Sequence, residues 1–158
     1  MRIRRASAHD IPRLIAIAQE SASAGHWTVS QYEQALTGVH PRRLVLALET
    51  ENPARGAVGF VVAAEIAGEW ELENIAVAAS EQRRGHADRL IGALLEEVRK
   101  SPAKSVYLEV RVSNNPARRL YEKWGFQQSG IRPGYYHNPA EDAILYKKSL
   151  LTAAREIG

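Results

Sequence analysis

The sequence predicts a mixed α/β (α+β) fold, one central sheet with helices on both faces. Three observations lead there. Seven segments have strand character and four have helical character. Some consecutive strands are joined by short turns and others by a helix, which calls for both antiparallel and parallel neighbours. The chain has 158 residues, 45% hydrophobic and 25% charged, the size and balance of a single domain covering residues 1–158.

The first strand is short, residues 3–5. Asp10 then caps a helix with Pro12 in its first turn and Ile11, Leu14, Ile15 and Ala18 as apolar positions. Ser30 caps a second short helix that runs to about Leu36. Residues 44–48 and 57–64 read as strands, and the polar run Glu51-Asn52-Pro53-Ala54-Arg55-Gly56 between them reads as a hairpin loop. The second of these strands is apolar on both faces and belongs inside the sheet. Residues 70–77 form a strand whose apolar parity changes: Trp70 and Leu72 share one face, Ile75 and Val77 the other. A one-residue shift near Glu73-Asn74 requires a bulge, which leaves backbone groups open to a ligand.

The helix that follows is the clearest in the chain. Ala87, Leu90, Ile91, Leu94, Leu95 and Val98 recur at helical spacing, opposite Asp88, Glu96, Glu97 and Lys100. Val106, Leu108, Val110 and Val112 alternate with Tyr107, Glu109 and Arg111, as in a half-buried strand. Asn115-Pro116 opens a helix carrying Ala117, Leu120, Tyr121 and Trp124 on one face, with Gly125 as its stop. Two strands near residues 126–131 and 143–149 flank a last polar, aromatic loop.

Composition removes several kinds of chemistry. There is no cysteine, hence no disulfide, thiolate metal site or cysteine nucleophile. The five histidines, at 9, 26, 40, 86 and 137, include no pair at ligand spacing, so no metal is expected, and His86 is expected to face solvent. No G-x-S-x-G supports serine hydrolysis. The 21 Lys and Arg against 18 Asp and Glu give +3 with no long basic block, so direct nucleic-acid binding is not expected. The longest apolar run, residues 60–64, is too short to cross a bilayer. The start, Met1-Arg2-Ile3-Arg4-Arg5, has no apolar stretch after it to make a signal peptide. A cytoplasmic protein with no membrane partner is expected, as a monomer or weak dimer.

One segment has the layout of an anion site. A strand ends at Asn74-Ile75-Ala76-Val77, and Gln82-Arg83-Arg84-Gly85-His86-Ala87 leads into the amphipathic helix. The first turn of a helix has amides without partners and sits at the positive end of the dipole, where a pyrophosphate is stabilised. Gly85 lets the backbone approach closely, and Arg83 and Arg84 add charge. Neither the Walker pattern nor the dinucleotide fingerprint is present.

With the later runs Leu108-Glu109-Val110-Arg111, Ser113-Asn114, Leu120-Tyr121-Glu122, Gly125-Phe126, Gly134-Tyr135-Tyr136 and Glu141-Asp142-Ala143, the chain resembles the GNAT acetyltransferase superfamily. Within it, the set is most similar to the bacterial ribosomal-protein alanine N-acetyltransferase (RimI-type) family. The resemblance implies a GNAT fold: a mostly antiparallel sheet of about seven strands, with strands four and five splayed around acetyl-CoA as co-substrate. Backbone groups of Asn74, Ile75, Ala76 and Val77 would hold the pantetheine arm, and amides of Gln82, Arg83, Arg84, Gly85, His86 and Ala87 the pyrophosphate. Asn114 would contact the cofactor as well, and the Val77 amide would serve the oxyanion.

The same resemblance makes Glu109 the general base and Tyr121 the general acid. Glu71 and Glu73 are rival bases, and Glu109 could instead form a structural ion pair with Arg111 or Arg132. Tyr121 could equally be core, since it shares an apolar stripe. Gly134, Tyr135 and Tyr136 would clasp the acceptor, a protein N-terminal peptide and in this family a ribosomal protein's alanine. The alternatives are a lysine or small-molecule amine as acceptor, or a non-catalytic acyl-CoA-binding module.

Overall fold

A computed structural model describes residues 1–151, so the final part of the expected 1–158 domain lies outside the described residues. The elements are β1 (Arg2–Arg5), α1 (Ile11–Gln19), α2 (Val29–Thr37), β2 (Arg42–Glu49), β3 (Ala57–Ile66) and β4 (Glu69–Val77), then α3 (His86–Val98), β5 (Ser105–Arg111), α4 (Asn115–Lys123), β6 (Gln127–Tyr136) and β7 (Glu141–Ser149). Seven strands form one sheet in the order β1-β2-β3-β4-β5-β7-β6. Every pairing is antiparallel except β4 with β5, which is parallel.

Helices cover both faces, as the pattern requires. On one face α3 buries Leu90, Ile91, Leu94, Leu95 and Val98 against Leu44, Leu46, Leu48 and Val61, with Tyr121 of α4 and Trp124 just after it joining that layer. Burying each of these large side chains favours folding by roughly 1.5–3 kcal/mol. On the other face α1 and α2 set Leu14, Ile17, Tyr32 and Ala35 against Val45, Ala47, Phe60 and Val62. Both parities of β3 are thus buried, the mark of an interior strand. The run from Glu51 to Gly56 joins the antiparallel strands β2 and β3, as expected of a hairpin loop.

Three helix and strand ends differ from expectation. Thr28, not Ser30, caps α2: its hydroxyl accepts from the Gln31 amide at 3.1 Å while the Gln31 side chain accepts from the Thr28 amide at 2.8 Å. The Thr-x-x-Gln pair satisfies two amides at once, which a lone serine further on does not. Asp10 precedes α1 but its carboxylate makes no helix-capping bond. It accepts instead from both terminal nitrogens of Arg4, at 2.8 and 2.9 Å, and from the Ser7 amide at 2.8 Å. A bidentate guanidinium is a stronger partner than a helix amide. Strand β6 continues to Tyr136 through a register break between Arg132 and Tyr136, so Gly134 and the two tyrosines sit on a bulged strand end, not in a free loop.

Arg4 also donates to the buried carboxylate of Glu49 at 3.1 Å. Its guanidinium is the largest cause holding both Asp10 and Glu49 below the ordinary carboxylate range. A carboxylate with a depressed folded value stabilises fully above its unfolded value, about 4, and loses that stabilisation as pH falls through the folded value. Urea denaturation should therefore show a drop in stability between about pH 5 and pH 3, and Arg4→Met should make that drop smaller while lowering stability at pH 7.

Candidate active site

Strands β4 and β5 pair over two positions only, Trp70 with Val106 and Glu71 with Tyr107. Glu73 is an extra residue in β4: Val62 faces Asn74 and Ala63 faces Leu72, which leaves Glu73 unmatched on β3. The bulge inferred from side-chain parity is therefore present where expected. Beyond it Ile75, Ala76 and Val77 remain paired to β3, but β5 no longer runs alongside them. Between the parted strands lies a cleft of about 800 Å³. Ile75, Ala76 and Val77 line it on one side, and Asn114, Ala117, Leu120 and Tyr121 on the other.

At one end of this cleft the loop after β4 turns into α3. Gln82 Nε2 donates to the Val77 carbonyl at 3.1 Å and ties the loop back to the strand. Arg83 takes a φ of +64° and Gly85 one of +79°. Only the glycine adopts that region without strain, and a Cβ there would meet nothing, so the approach to the helix start stays open. Gln82, Arg83, Gly85, His86 and Ala87 all line the cleft. Arg84 does not; it is turned to Glu81 at 3.3 Å.

His86 is not in solvent. It is 4% exposed, and its Nε2 lies 3.1 Å from Glu81 Oε2. Glu81, also buried, takes Arg55 at 3.1 Å on its other oxygen. The short turn Ala79–Glu81 brings this carboxylate beneath the first turn of α3, where it draws the imidazole inward. The His86 hydrogen bond is the largest cause holding the Glu81 carboxyl below its usual range. Sequence spacing alone gave no sign of this, because the Glu81 contact depends on a turn that carries no periodicity.

Asn74 and Asn114 have side chains engaged within the protein. Asn74 is 4% exposed and holds Gly25 twice, accepting from its amide at 3.1 Å and donating to its carbonyl at 3.0 Å. Asn114 Oδ1 caps α4 through the Ala117 amide at 3.3 Å. For a ligand, Asn74 thus offers backbone. The Asn74 bonds fix the segment after α1, and Ala22 to Gly25 line the site, a contribution with no motif to announce it.

A second cleft, of about 370 Å³, opens on the other side of the junction and shares Ile75, Arg111, Asn114, Ala117 and Tyr121 with the first. Glu71, Glu73, Glu109, Tyr135 and Tyr136 line it; Gly134 does not. Gly134 has φ +62° in the β6 bulge and donates its amide to Asp142 at 2.8 Å. Tyr135 and Tyr136 meet edge to face at 5.1 Å.

The three carboxylates differ sharply. Glu73 is held at 2.8 and 3.2 Å by Arg43. Glu109 meets Arg132 Nε at 3.2 Å through Oε1, while its Oε2 is buried and has no hydrogen-bond partner among the described residues. Arg111, the other cation considered for Glu109, pairs instead with Glu141 at 3.3 Å and stacks on Tyr136 at 4.4 Å. Glu71 receives only the Tyr107 hydroxyl at 3.3 Å among the described residues, and burial, then the charge of Glu73, raise its pKa.

Tyr121 stands where the two clefts meet. Its ring packs edge-on against Phe126 at 5.8 Å, and burial pushes its phenol well above the ordinary range. It is both core and cleft wall. Among the described residues no cluster of His, Asp or Glu is arranged to hold a metal, and no helix is long and apolar enough to cross a membrane.

The profile of the acetyltransferase (GNAT) family matches residues 11–126. A Bacillus subtilis protein provisionally named a ribosomal protein bS18-alanine N-acetyltransferase is 29% identical over 143 residues, covering 90% of this chain and 91% of that protein. The Escherichia coli K12 protein named [ribosomal protein bS18]-alanine N-acetyltransferase is 38% identical over 98 residues, covering 61% of this chain and 65% of that enzyme. Among solved structures, the E. coli ribosomal-protein-S18-alanine N-acetyltransferase superposes with a TM-score of 0.84 at 29% identity, over 96% of this chain and 95% of that one. Ard1 from Thermoplasma volcanium does so at 0.81 and 28%, over 96% and 98%.

Removing the Asn74 side chain strands both polar groups of Gly25, at about 1–3 kcal/mol. Asn74→Ala should lower the melting temperature and speed amide hydrogen exchange around residues 22–25, both measurable without substrate.

Proposed function

The chain belongs to the acetyltransferase (GNAT) family, of the ribosomal-protein alanine N-acetyltransferase (RimI) type, and performs acetyl-CoA-dependent N-acetyl transfer; from that premise we propose that its acceptor is a protein N-terminal α-amine, the alanine of ribosomal protein bS18. The observation that carries the mechanism is the meeting of two clefts at Tyr121, with the bare Glu109 Oε2 in the wall of the second. The larger cleft suits acetyl-CoA. Its volume lies within the range of small-molecule sites, it has unmatched strand backbone at Ile75–Val77, and one end is the amide-rich start of α3 beside Arg83. Bound there, acetyl-CoA supplies an acetyl thioester.

The acceptor amine enters through the smaller cleft between residues 22–25 and the Tyr135-Tyr136 bulge. Its lone pair attacks the thioester carbonyl carbon; the C–N bond forms and the C–S bond breaks. Glu109 Oε2 takes the proton released by the nitrogen, directly or through one water. Tyr121 donates its hydroxyl hydrogen to the departing sulfur. Its raised pKa keeps the phenol protonated at neutral pH, and a thiol of pKa about 8.5 leaves readily as thiolate, so a hydrogen bond to the developing charge suffices. The Val77 amide is assigned to the carbonyl oxygen.

Amine basicity favours the α-amine. At pH 7 about a tenth of an N-terminal amine is neutral, against well under a thousandth of a lysine. A single carboxylate without a cationic relay fits the first task. Among the rival bases, Glu73 is already neutralised by Arg43, whereas Glu71 stands level with Tyr107, where β4 and β5 are still paired, farther from the shared wall of the clefts.

The purified protein should be incubated with acetyl-CoA and three acceptors: a bS18 N-terminal peptide, the same peptide blocked at its α-amine but bearing lysine, and a polyamine. Transfer to the free α-amine alone is expected. Glu109→Gln should lower kcat about 10²–10⁴-fold and Tyr121→Phe by a smaller factor, both with acetyl-CoA binding retained in calorimetry. Acetylation confined to lysine or polyamine would overturn the acceptor, and binding without turnover would overturn the enzyme mechanism.

A further inference from the structure

A buried carboxylate oxygen without a partner is costly unless something is meant to fill it, and Glu109 Oε2 is such an oxygen. Its twin Oε1 is not free: Arg132 Nε forms an ion pair with it at 3.2 Å. The Glu109 side chain is 12% exposed and the Arg132 side chain 55%, so the arginine reaches in from the surface to grip one oxygen from outside the cleft. Burial, then a hydrogen-bonding approach to Glu109 and its charge, push the Tyr135 phenol up, although that approach is too loose to satisfy Oε2.

The position of Arg132 in the sheet matters as much as the contact. It is the last residue of β6 in regular register, opposite Ala143, before the bulge that carries Gly134 and Tyr135; register resumes only at Tyr136, opposite Glu141. Its guanidinium also lies 5.7 Å from the Tyr135 ring centroid, within cation–π reach. One side chain therefore touches both the carboxylate and the aromatic wall of the acceptor cleft.

We propose that Arg132 is the positioning residue of the acceptor site: by anchoring Glu109 Oε1 it turns Oε2 toward the amine, and through Tyr135 it couples that alignment to the seating of the peptide. This rests on Glu109 being the base, as argued above. Arg132 does not touch the reacting atoms. A freely rotating Glu109 would present Oε2 correctly only part of the time, and misplacement of a catalytic group lowers turnover more than binding.

The test is a double-mutant cycle on the whole protein, following α-amine acetylation of the bS18 peptide. Arg132→Gln should lower kcat about tenfold or more, with the KM for acetyl-CoA and for peptide within about twofold and the melting temperature little changed. Arg132→Lys, which keeps a cationic donor, should recover most of the loss. In the Glu109→Gln background, Arg132→Gln should have no further effect. Multiplying losses, an effect confined to KM, or an unchanged kcat would overturn the proposal. A silent Glu109→Gln would overturn it too while leaving acetyl transfer intact, whereas failure of the wild type to acetylate the peptide would strike the proposed function itself.

Discussion

Two parallel strands that share only two residue pairs must leave backbone unpaired beyond the point where they part, and an unpaired strand edge inside a protein is stable only if something else pairs with it. In this fold the edge is Ile75–Val77, and the divergence begins where Glu73 enters β4 as an extra residue. The sheet does not simply continue with a gap. Helix α4 borders the opening with Asn114, Ala117 and Tyr121, and α3 begins at its far end, so the missing strand is replaced by a cleft with polar backbone along one wall and helix amides at one end. An elongated ligand with an amide-bearing arm and an anionic tail is complementary to that wall and that end together. The tie between fold and acetyl-CoA use in this family is thus a matter of hydrogen-bond completion.

Around the cleft, polar side chains of the kind that could serve a ligand are largely used to hold loops in place. Asn74 fixes Gly25, Glu81 gathers Arg55, Arg84 and His86 beneath the start of α3, and Arg111 binds the Pro139 carbonyl at 2.9 Å while lying on Tyr136. The bonds of Asn74, of Glu81 with His86 and of Arg111 join segments without regular structure to a strand or a helix start, and Arg55 and Arg84 tie two further loops to Glu81. The consequence is functional: the contacts available to a co-substrate are mostly backbone groups, whose placement depends on these side chains rather than on their direct participation.

What was legible in the sequence follows from periodicity. The stripe of α3, the alternation of β5 and the parity change at Glu73 each have a physical period that a linear reading can detect, and together they locate the cleft. Where the outcome depended on a partner brought in by a turn or a neighbouring strand, which carries no periodicity, the linear reading differs from the structure. His86 has no apolar stripe of its own and is buried by Glu81; Asp10 abandons its capping role for Arg4; the strand β6 persists through a bulge because β7 pairs with it on both sides. Thr28 is a different kind of miss. Its capping box with Gln31 was written in the sequence, two residues ahead of the serine taken as the cap.

The acceptor cleft raises an electrostatic problem that the structure resolves unevenly. Three carboxylates, Glu71, Glu73 and Glu109, face one small volume, and three unscreened charges there would repel one another. Two arginines from opposite directions remove most of that repulsion. Arg43 reaches across from β2 and takes both oxygens of Glu73; Arg132 comes from β6 and takes one oxygen of Glu109. Glu71 lies between them with a tyrosine hydroxyl as its hydrogen-bond donor, and it is the carboxyl raised by burial and by its neighbours' charge. The group that bears the strain of the cluster is therefore Glu71, while Glu109 keeps one buried oxygen without a partner among the described residues. Exchanging the two arginine partners would reverse that division: a bidentate hold on Glu109 would occupy the oxygen needed for the proton, and a single contact at Glu73 would free a carboxylate near the bulge. The separation of roles among three chemically identical side chains lies in the geometry of the cations beside them, a feature that no reading of carboxylate positions alone can supply.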